Sequence, residues 1–424
     1  MSQIRRTQTH DTLVRAIGTF GLAAGIINIT VGGGIFRLPA HVAGVLGPAA
    51  PLAYVVCALA MGLIVWCIAD AGSRVSLTGG PYAYVGAAFG AYPGFIAGVL
   101  VWMLGTFATA AVSTIVAASL GQLAPVLAGR AAQAGILIAV FAFWSAVNMR
   151  GVTLGARLVS VATVAKLLPL LVIAVGGLFF VRWENLQMAS APAAADLARA
   201  SFLLIFAFAG VESALVPSGE IRETARTVPR AIALAMIGIA ALYITLQVVA
   251  QGILGSGLAL ATASPLADAA GMSLGGWARS LLLAGATVSM FGYLGGMTLA
   301  ISRMVFALAE GGFLPRALAS VHAVHRVPQA AIVAQSILAL GFAITGTFET
   351  LAVLANVSAL ALYFGCALAS WRLSRRGVVP LLACGVIAWL LTGLTRQEWL
   401  GFGVCLVVAS TAYAARWRLR GVSS

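Results

Sequence analysis

Three consecutive glycines and a proline interrupt the first long apolar segment of this chain. The stretch TVGGGIFRLP runs from Thr30 to Pro39 inside an apolar run over residues 13–46, which is long enough to cross a bilayer. Glycine destabilises a helix interior by about 1 kcal/mol relative to alanine, and an unpaired backbone group in hydrocarbon costs several kcal/mol. The pattern therefore predicts a helix that is broken where its backbone binds something, although small residues also let helices pack closely.

A second interruption of the same kind occurs in the apolar run over residues 200–219. There the sequence FAFAGVE, from Phe206 to Glu212, is followed by Pro217. Two helix breaks at mid-membrane provide free amide groups for an anion and released carbonyl groups for a cation. An anion beside a cation describes a zwitterion, and an α-amino acid fits that description.

The two breaks supply specific backbone groups for such a zwitterion. With a helix beginning near Ile35, we predict that the carboxylate binds the N–H groups of Gly32, Gly33 and Gly34. We predict that the ammonium group binds the carbonyls of Thr30, Phe206 and Ala209.

Lys166 and Glu212 are among the ionisable side chains that fall inside apolar runs. Lys166 is the only lysine of the chain, and a cation at bilayer depth costs at least about 2–3 kcal/mol on insertion scales. Burial disfavours its charged form, so Lys166 is either a group that exchanges a proton or a structural tether between spans. Glu212 is either an acceptor that caps the broken helix or a protonatable group, and the two roles are compatible. Asp70 is predicted to anchor a loop by pairing with a nearby arginine.

Composition places the chain among polytopic membrane proteins. Hydrophobic residues make up 61% and charged residues 8% of its 424 positions, with a mean hydropathy of +1.04. The net charge of +14 comes from single basic residues scattered through short loops, which indicates membrane topology and not nucleic-acid binding. All five cysteines lie inside apolar runs, so they predict no disulfide framework and no metal site.

Twelve apolar runs recur along the chain and predict twelve transmembrane helices. They lie near 13–46, 49–71, 84–122, 132–148, 155–181, 200–219, 229–254, 277–308, 329–346, 349–371, 378–394 and 399–416. With the N-terminus inside, seventeen arginines fall in inner segments and five in outer ones, which predicts that both termini are cytoplasmic.

The two interruptions lie five spans apart and divide the chain into two halves. We predict an N-terminal tail over 1–12, a first repeat over 13–181 (spans 1–5), a second repeat over 200–371 (spans 6–10), spans 11 and 12 over 378–416, and a C-terminal tail over 417–424. Because five is odd, the second half must be inverted relative to the first.

Five separated motifs give the chain its family resemblance. They are GGGIFRLPA, IADAGSRVSLTGGPYAYVGAAFG, NMRGVTLGARLVSVATVAKLLPL, FAFAGVESALVPSGEIRETARTVPRAI and SRMVFALAEGGFLPRALASVHAVHRVP. Nearly the whole chain resembles the amino acid–polyamine–organocation permeases. The resemblance implies an all-α polytopic fold of twelve helices, a five-plus-five inverted repeat with discontinuous helices 1 and 6, and transport of amino acids or related amines.

The resemblance also implies roles for individual residues. Phe206 would be an aromatic gate over the substrate, and Glu212 a protonation site. Lys166 matches a lysine that stands where sodium-coupled relatives bind an ion. Side-chain contacts to substrate are implied for Thr109, Met297 and Ser358, in a neutral pocket with Phe206 and Phe208.

Arg37 departs from the family pattern, in which an aliphatic residue follows GIF. It resembles the outer-gate arginine of sodium-coupled neurotransmitter transporters, which would place it in the outer vestibule as a gate. The alternatives are a structural arginine that snorkels to the interface and a direct contact to an acidic substrate side chain. Arg303, near the inner end of its span, is predicted to snorkel to the cytoplasmic interface.

Missing motifs narrow the function further. The chain contains no GxxxxGK or HExxH motif, and we expect neither an ATP-driven pump nor an enzyme, and no cofactor or metal ion. We expect a proton-linked permease for a neutral amino acid in the cytoplasmic membrane, whose partners are the substrate, protons and the lipid bilayer. The alternative functions are obligate amino acid exchange and, from another class of protein, an ion channel. The sequence leaves the substrate side chain, the coupling and the oligomeric state open.

Overall fold

The chain is helical throughout the part that the computed structural model describes, which is residues 18–75, 80–150, 167–210, 224–322, 325–375 and 377–421. Within these ranges no residue lies in a strand, which confirms the predicted all-helical class. The helices are α1 (Thr19–Thr30), α2 (Gly33–Leu46), α3 (Ala50–Arg74), α4 (Pro81–Phe89), α5 (Ala91–Leu123), α6 (Arg130–Met149), α7 (Leu167–Phe180), α8 (Ala194–Phe208), α9 (Thr224–Leu254), α10 (Pro265–Leu274), α11 (Gly276–Glu310), α12 (Gln329–Thr345), α13 (Phe348–Ser374), α14 (Val378–Leu391) and α15 (Arg396–Gly421).

The first apolar run forms two helices, as its glycines predict. α1 ends at Thr30 and α2 begins at Gly33, with Val31 and Gly32 in extended or irregular backbone between them. The second helix was predicted to begin near Ile35, and it begins two residues earlier, at Gly33. Gly33 and Gly34 belong to the first turn of α2 because that turn packs tightly against neighbouring helices, which only glycine permits.

The third apolar run was predicted as one segment over 84–122, and this was wrong. The structure divides it into α4 and α5 at Gly90, whose φ is +95°. The N–H of Gly90 donates to the carbonyl of Gly86, so a glycine in positive φ ends α4 before α5 begins. Hydropathy alone does not reveal such a turn, because the residues on both sides of it are apolar.

Helices long and apolar enough to cross a membrane recur through the described ranges. Six stretches qualify: Gly33–Arg74, Ala91–Leu123, Arg130–Met149, Arg226–Leu260, Gly276–Glu310 and Phe348–Ser374. The pair Val378–Leu391 and Arg396–Ala414, bent by 119°, gives a seventh if it is taken as one span. Shorter apolar helices lie at Thr19–Thr30, Leu167–Phe180 and Gln329–Thr345. The chain is therefore a multi-pass membrane protein, while the count of twelve and the inverted repeat stay predictions.

The centre of the bundle is built on α5 and α13, which pack along each other. In each of them 72% of the most apolar window is buried inside the protein, against 39% for α6, which is nearer the periphery. Around this pair, α2 packs on α8, and α1 packs on α9. This packing brings the end of α1, the start of α2 and the end of α8 together inside the bundle.

Candidate functional site

The break in the first apolar run exposes backbone groups at the start of α2. The N–H of Val31 still donates to the carbonyl of Ile27, at 2.9 Å, and helical bonding then stops. Gly32, the residue before the first turn of α2, has φ −126° and ψ −155° and offers no side chain to cap the turn. The first N–H groups of a helix have no partner within the helix, so those of α2 are available to a ligand.

The glycines of α2 also bring neighbouring helices into close contact. A Cβ atom on Gly33 would stand 3.0 Å from side-chain atoms of Val112 and Ile115 on α5. A Cβ atom on Gly34 would stand 2.7 Å from the backbone Cα of Ala207 on α8. The glycine run predicted either a helix break or close packing of small residues. Both features occur in the first turn of α2.

The second interruption lies at the end of α8. The N–H of Ala209 donates to the carbonyl of Ile205 at 2.8 Å, after which the backbone leaves the helix with a ψ of 155° at Ala209. Gly210 follows with φ +110°, and a Cβ atom on it would lie 3.0 Å from Cγ2 of Ile29 on α1. The ends of α1 and α8 therefore touch.

Tyr243 on α9 joins the two breaks and is not among the site residues predicted from the sequence. Its hydroxyl, on a side chain buried from solvent, lies 3.1 Å from the carbonyl oxygen of Thr30 and 3.1 Å from that of Ala207. One hydroxyl proton is thus shared between the last turn of α1 and the last turn of α8. The available signal was the spacing of Tyr243, Gln247 and Gln251, which puts three polar residues on one face of an apolar helix.

Two further features of this region concern side chains next to the breaks. The hydroxyl of Thr30 is buried and has no hydrogen-bond partner within the described residues. Phe208, which was predicted to line a pocket, is fully buried and packs edge-on against Tyr243 with ring centroids 5.1 Å apart. It therefore contacts the tyrosine that bridges the breaks.

The side-chain contacts implied by the family resemblance lie on the surrounding helices. Thr109 on α5 donates its hydroxyl proton to the carbonyl of Gly105 at 2.7 Å, and Met297 on α11 lies against that same glycine. The structure thus brings Thr109 and Met297 to one region of the α5–α11 contact. Ser358 is buried on α13, where its hydroxyl donates to the carbonyl of Leu354 at 2.9 Å.

The two predicted gate residues, Arg37 and Phe206, meet at a third residue, Phe348, the first residue of α13. Phe206 is half-buried, and its ring stands edge-on to that of Phe348 with centroids 5.5 Å apart. The guanidinium of Arg37 lies 5.7 Å from the centre of the Phe348 ring, and its Nη1 donates to the carbonyl of Ala263 at 2.8 Å.

Of the remaining predicted residues Asp70, Lys166 and Glu212, the structure describes Asp70. Asp70 pairs with Arg74 at 3.3 Å, as predicted, and also accepts a hydrogen bond of 2.7 Å from Ser370 on α13. Lys166 and Glu212 lie outside the described residues.

Comparison with known proteins agrees with this architecture. A family model described as amino acid permease matches residues 17–395. One protein of Mycobacterium tuberculosis, named an uncharacterized transporter, is 28% identical over 352 residues, which cover 77% of this chain and 73% of that protein. A second protein of the same organism, with the same description, is 29% identical over 370 residues, which cover 83% of this chain and 81% of that protein.

Proposed function

We propose a transport mechanism for this chain from the premise that it belongs to the amino acid permease family. It is a membrane transporter and not an enzyme. Our proposal is that it moves a neutral amino acid across the cytoplasmic membrane by alternating access, with its termini in the cytoplasm and with protons as the coupling ion. Phe206 and Arg37 serve as gates.

The observation that carries the proposal is the meeting of the two helix ends at Tyr243. A zwitterion needs donors and acceptors within a few ångströms of each other, and the first turn of α2 and the last turns of α1 and α8 supply them. The carboxylate binds the N–H groups of Gly32, Gly33 and Gly34. The ammonium group binds the carbonyls of Thr30, Phe206 and Ala209, beside the Thr30 hydroxyl, which has no hydrogen-bond partner among the residues that the structure describes.

The character of the surrounding side chains supports a neutral substrate. Phe206, Thr109, Met297 and Ser358 carry no charge, and the hydroxyls of Thr109 and Ser358 already donate to carbonyls of their own helices. A substrate side chain in this region therefore meets mainly apolar surface, with hydroxyl oxygens that can still accept.

Proton coupling is proposed for Lys166 and Glu212, which lie outside the described residues. An ammonium group placed in a span loses hydration, so release of its proton in one conformation and recovery in another links protonation to the transport cycle. The alternative is that Lys166 acts only as a structural tether. In that case the protein would be an obligate exchanger.

Uptake into proteoliposomes tests the proposal. Radiolabelled neutral amino acids are offered to vesicles with and without an inward proton gradient, and with and without amino acid inside. Gradient-driven uptake into empty vesicles is the expected result. Uptake only into preloaded vesicles would replace proton symport by exchange, and failure under both conditions would overturn the choice of substrate.

Lys166→Ala tests the coupling group in the same vesicles. We expect gradient-driven uptake to be lost, whereas Arg303→Ala, which removes an exposed cation from α11, should keep it. A Lys166→Ala protein with the pH dependence of the wild type would remove this lysine from the coupling mechanism.

A further inference from the structure

Six residues beside the candidate site, on the side toward the C-terminus of α2, lie close together. We name them the Phe348 cluster. They are Arg37, His41, Phe206, Ala263, Phe348 and Glu349. They come from four parts of the fold: α2, α8, the segment before α10, and the first turn of α13. Only Arg37 and Phe206 have a role in the mechanism proposed above.

Phe348 is the centre of this cluster. It is 4% exposed and contacts three different groups: the Phe206 ring at 5.5 Å, the Arg37 guanidinium at 5.7 Å and the His41 ring at 6.0 Å. Phe206 lies at the helix break, whereas Arg37 and His41 lie on α2. The side chain of Phe348 therefore stands between the candidate substrate site and the end of α2. A movement of α13 away from α2 breaks the contacts with Arg37 and His41, and a movement away from α8 breaks the contact with Phe206.

A pair of titratable groups stands next to this aromatic ring. Nδ1 of His41 lies 3.9 Å from Oε2 of Glu349, with the histidine side chain 18% and the glutamate side chain 51% exposed. Both side chains therefore reach the surface of the protein. The distance allows an ion pair when the imidazole is protonated, and at higher pH the pair consists of a neutral ring and a carboxylate.

Among the described residues, few charged groups face His41. Glu349 approaches it from α13, and Arg37 lies one turn away on its own helix. The segment GSGLALATAS over 255–264, which packs on α2, carries no titratable side chain. Charged residues on α8 and α10 have other partners: Arg199 pairs with Glu398, and Asp268 pairs with Arg279. Asp196, the remaining charged residue of α8, is exposed near its start.

We propose that Phe348 and Glu349 form the closing half of the outer gate, and that the pair of His41 and Glu349 is a proton-sensitive latch on it. The inference rests on the proposed transport function and extends it to residues that nothing so far assigns. Closing the gate places Phe348 between Arg37 and Phe206, and protonation of His41 adds an attraction that opening must break. The latch therefore holds more strongly as the outside pH falls and the imidazole becomes protonated.

The test is counterflow in proteoliposomes with equal pH on both sides, so that no proton gradient drives transport. The quantity measured is the rate of a variant divided by that of the wild type, at pH 8, 7, 6 and 5.5. For Glu349→Gln and for His41→Asn we expect a ratio near 1 at pH 8 that rises roughly two- to fivefold at pH 5.5, the range expected of one partly exposed ion pair. The double variant should add nothing further.

Glu398→Gln is the matched control. It also removes a carboxylate from the first turn of a helix, but its partner is Arg199, which keeps its charge over this pH range. Its ratio to the wild type should be constant with pH. A ratio for Glu349→Gln that is also constant would overturn the latch, since a merely structural role would not produce a pH dependence.

A second readout separates failure of the latch from failure of the transport proposal. Ala352 is fully buried one turn beyond Phe348, and we expect a thiol at position 352 to react faster with an impermeant maleimide when the cluster opens. We expect Ala352→Cys to be labelled faster with Glu349→Gln than without it at pH 6, and equally at pH 8, as quantified by mass spectrometry. If no substrate is transported, this result still supports the latch, and equal labelling at both pH values removes it.

Discussion

The two helix ends that meet inside this protein contain the same kinds of residues but use them differently. At the start of α2, Gly34 has ordinary helical backbone, and the lack of a side chain matters because Ala207 of α8 is in contact with it. At the end of α8, Gly210 has a φ of +110°, and the lack of a side chain matters because that backbone conformation disfavours any other residue. One glycine is required by packing and the other by conformation.

This difference shows what each break contributes. The first break positions two helices against each other at a fixed distance, since backbone meets backbone and neither can yield. The second lets the chain leave α8 next to Ile29, where the nearest atom is a side-chain methyl group and not backbone. The first should therefore tolerate substitution less than the second, and the following variants test that order.

Gly34→Ala should have the largest effect. Its Cβ atom would lie 2.7 Å from a backbone atom of α8, so the two helices must separate, at a cost of about 1–3 kcal/mol for overpacking. We expect exchange in proteoliposomes to fall by roughly tenfold or more, with a lower Tm in detergent. Gly44→Ala, in the same helix but facing open space, should keep activity and Tm. Equal behaviour of the two variants would contradict the packing role.

Tyr243→Phe should come second, because it removes the hydroxyl that joins the breaks. Thr30 and Ala207 would each lose a hydrogen bond of 3.1 Å, and a buried carbonyl without a partner costs about 1–3 kcal/mol. We expect exchange to fall roughly five- to tenfold. Tyr54→Phe is the control, because the buried Tyr54 hydroxyl has no hydrogen-bond partner in the described part of the chain, and its removal should leave exchange unchanged. The bridge is refuted if Tyr243→Phe is as active as Tyr54→Phe.

Gly210→Ala should have a smaller effect than either. A residue other than glycine in positive φ is strained by roughly 1 kcal/mol or more, and Ile29 can shift to admit the methyl group. We expect a decrease in exchange of about fivefold or less, measured beside Gly34→Ala in the same vesicles. A loss greater than that of Gly34→Ala would reverse the order of the two breaks.

Glu398→Gln should have the smallest effect, because it lies outside the helix breaks. Glu398 accepts two hydrogen bonds from Arg199, at 3.0 and 3.1 Å, which fasten the start of α15 to α8. A partly exposed ion pair contributes about 1 kcal/mol or less, so we expect a small decrease in Tm and exchange within about twofold of the wild type. A tenfold loss of exchange would show that the ion pair of Arg199 and Glu398 fixes the position of α8 as strongly as the Gly34 contact does.

Much of the fold class follows from the sequence for simple reasons. Apolar runs of membrane length predict helices because the backbone must satisfy its hydrogen bonds within each segment. A glycine triplet predicts a helix break because it removes both helical propensity and side-chain packing. The pairing of Asp70 with Arg74 is local and was predicted correctly. The turn at Gly90 was missed, because apolar residues on both sides of it hide the change of direction.

The candidate site shows the limit of that approach. The sequence by itself determined a multi-pass helical membrane protein with a helix break in the glycine run after Thr30, because hydropathy and glycine content act locally along the chain, and the structure places that break at residues 31–32. Only the tertiary structure decided that Tyr243 bridges the carbonyls of Thr30 and Ala207, and that Phe348 lies between Arg37 and Phe206. These contacts join residues far apart in sequence, and their partners are set by how helices pack across the bundle.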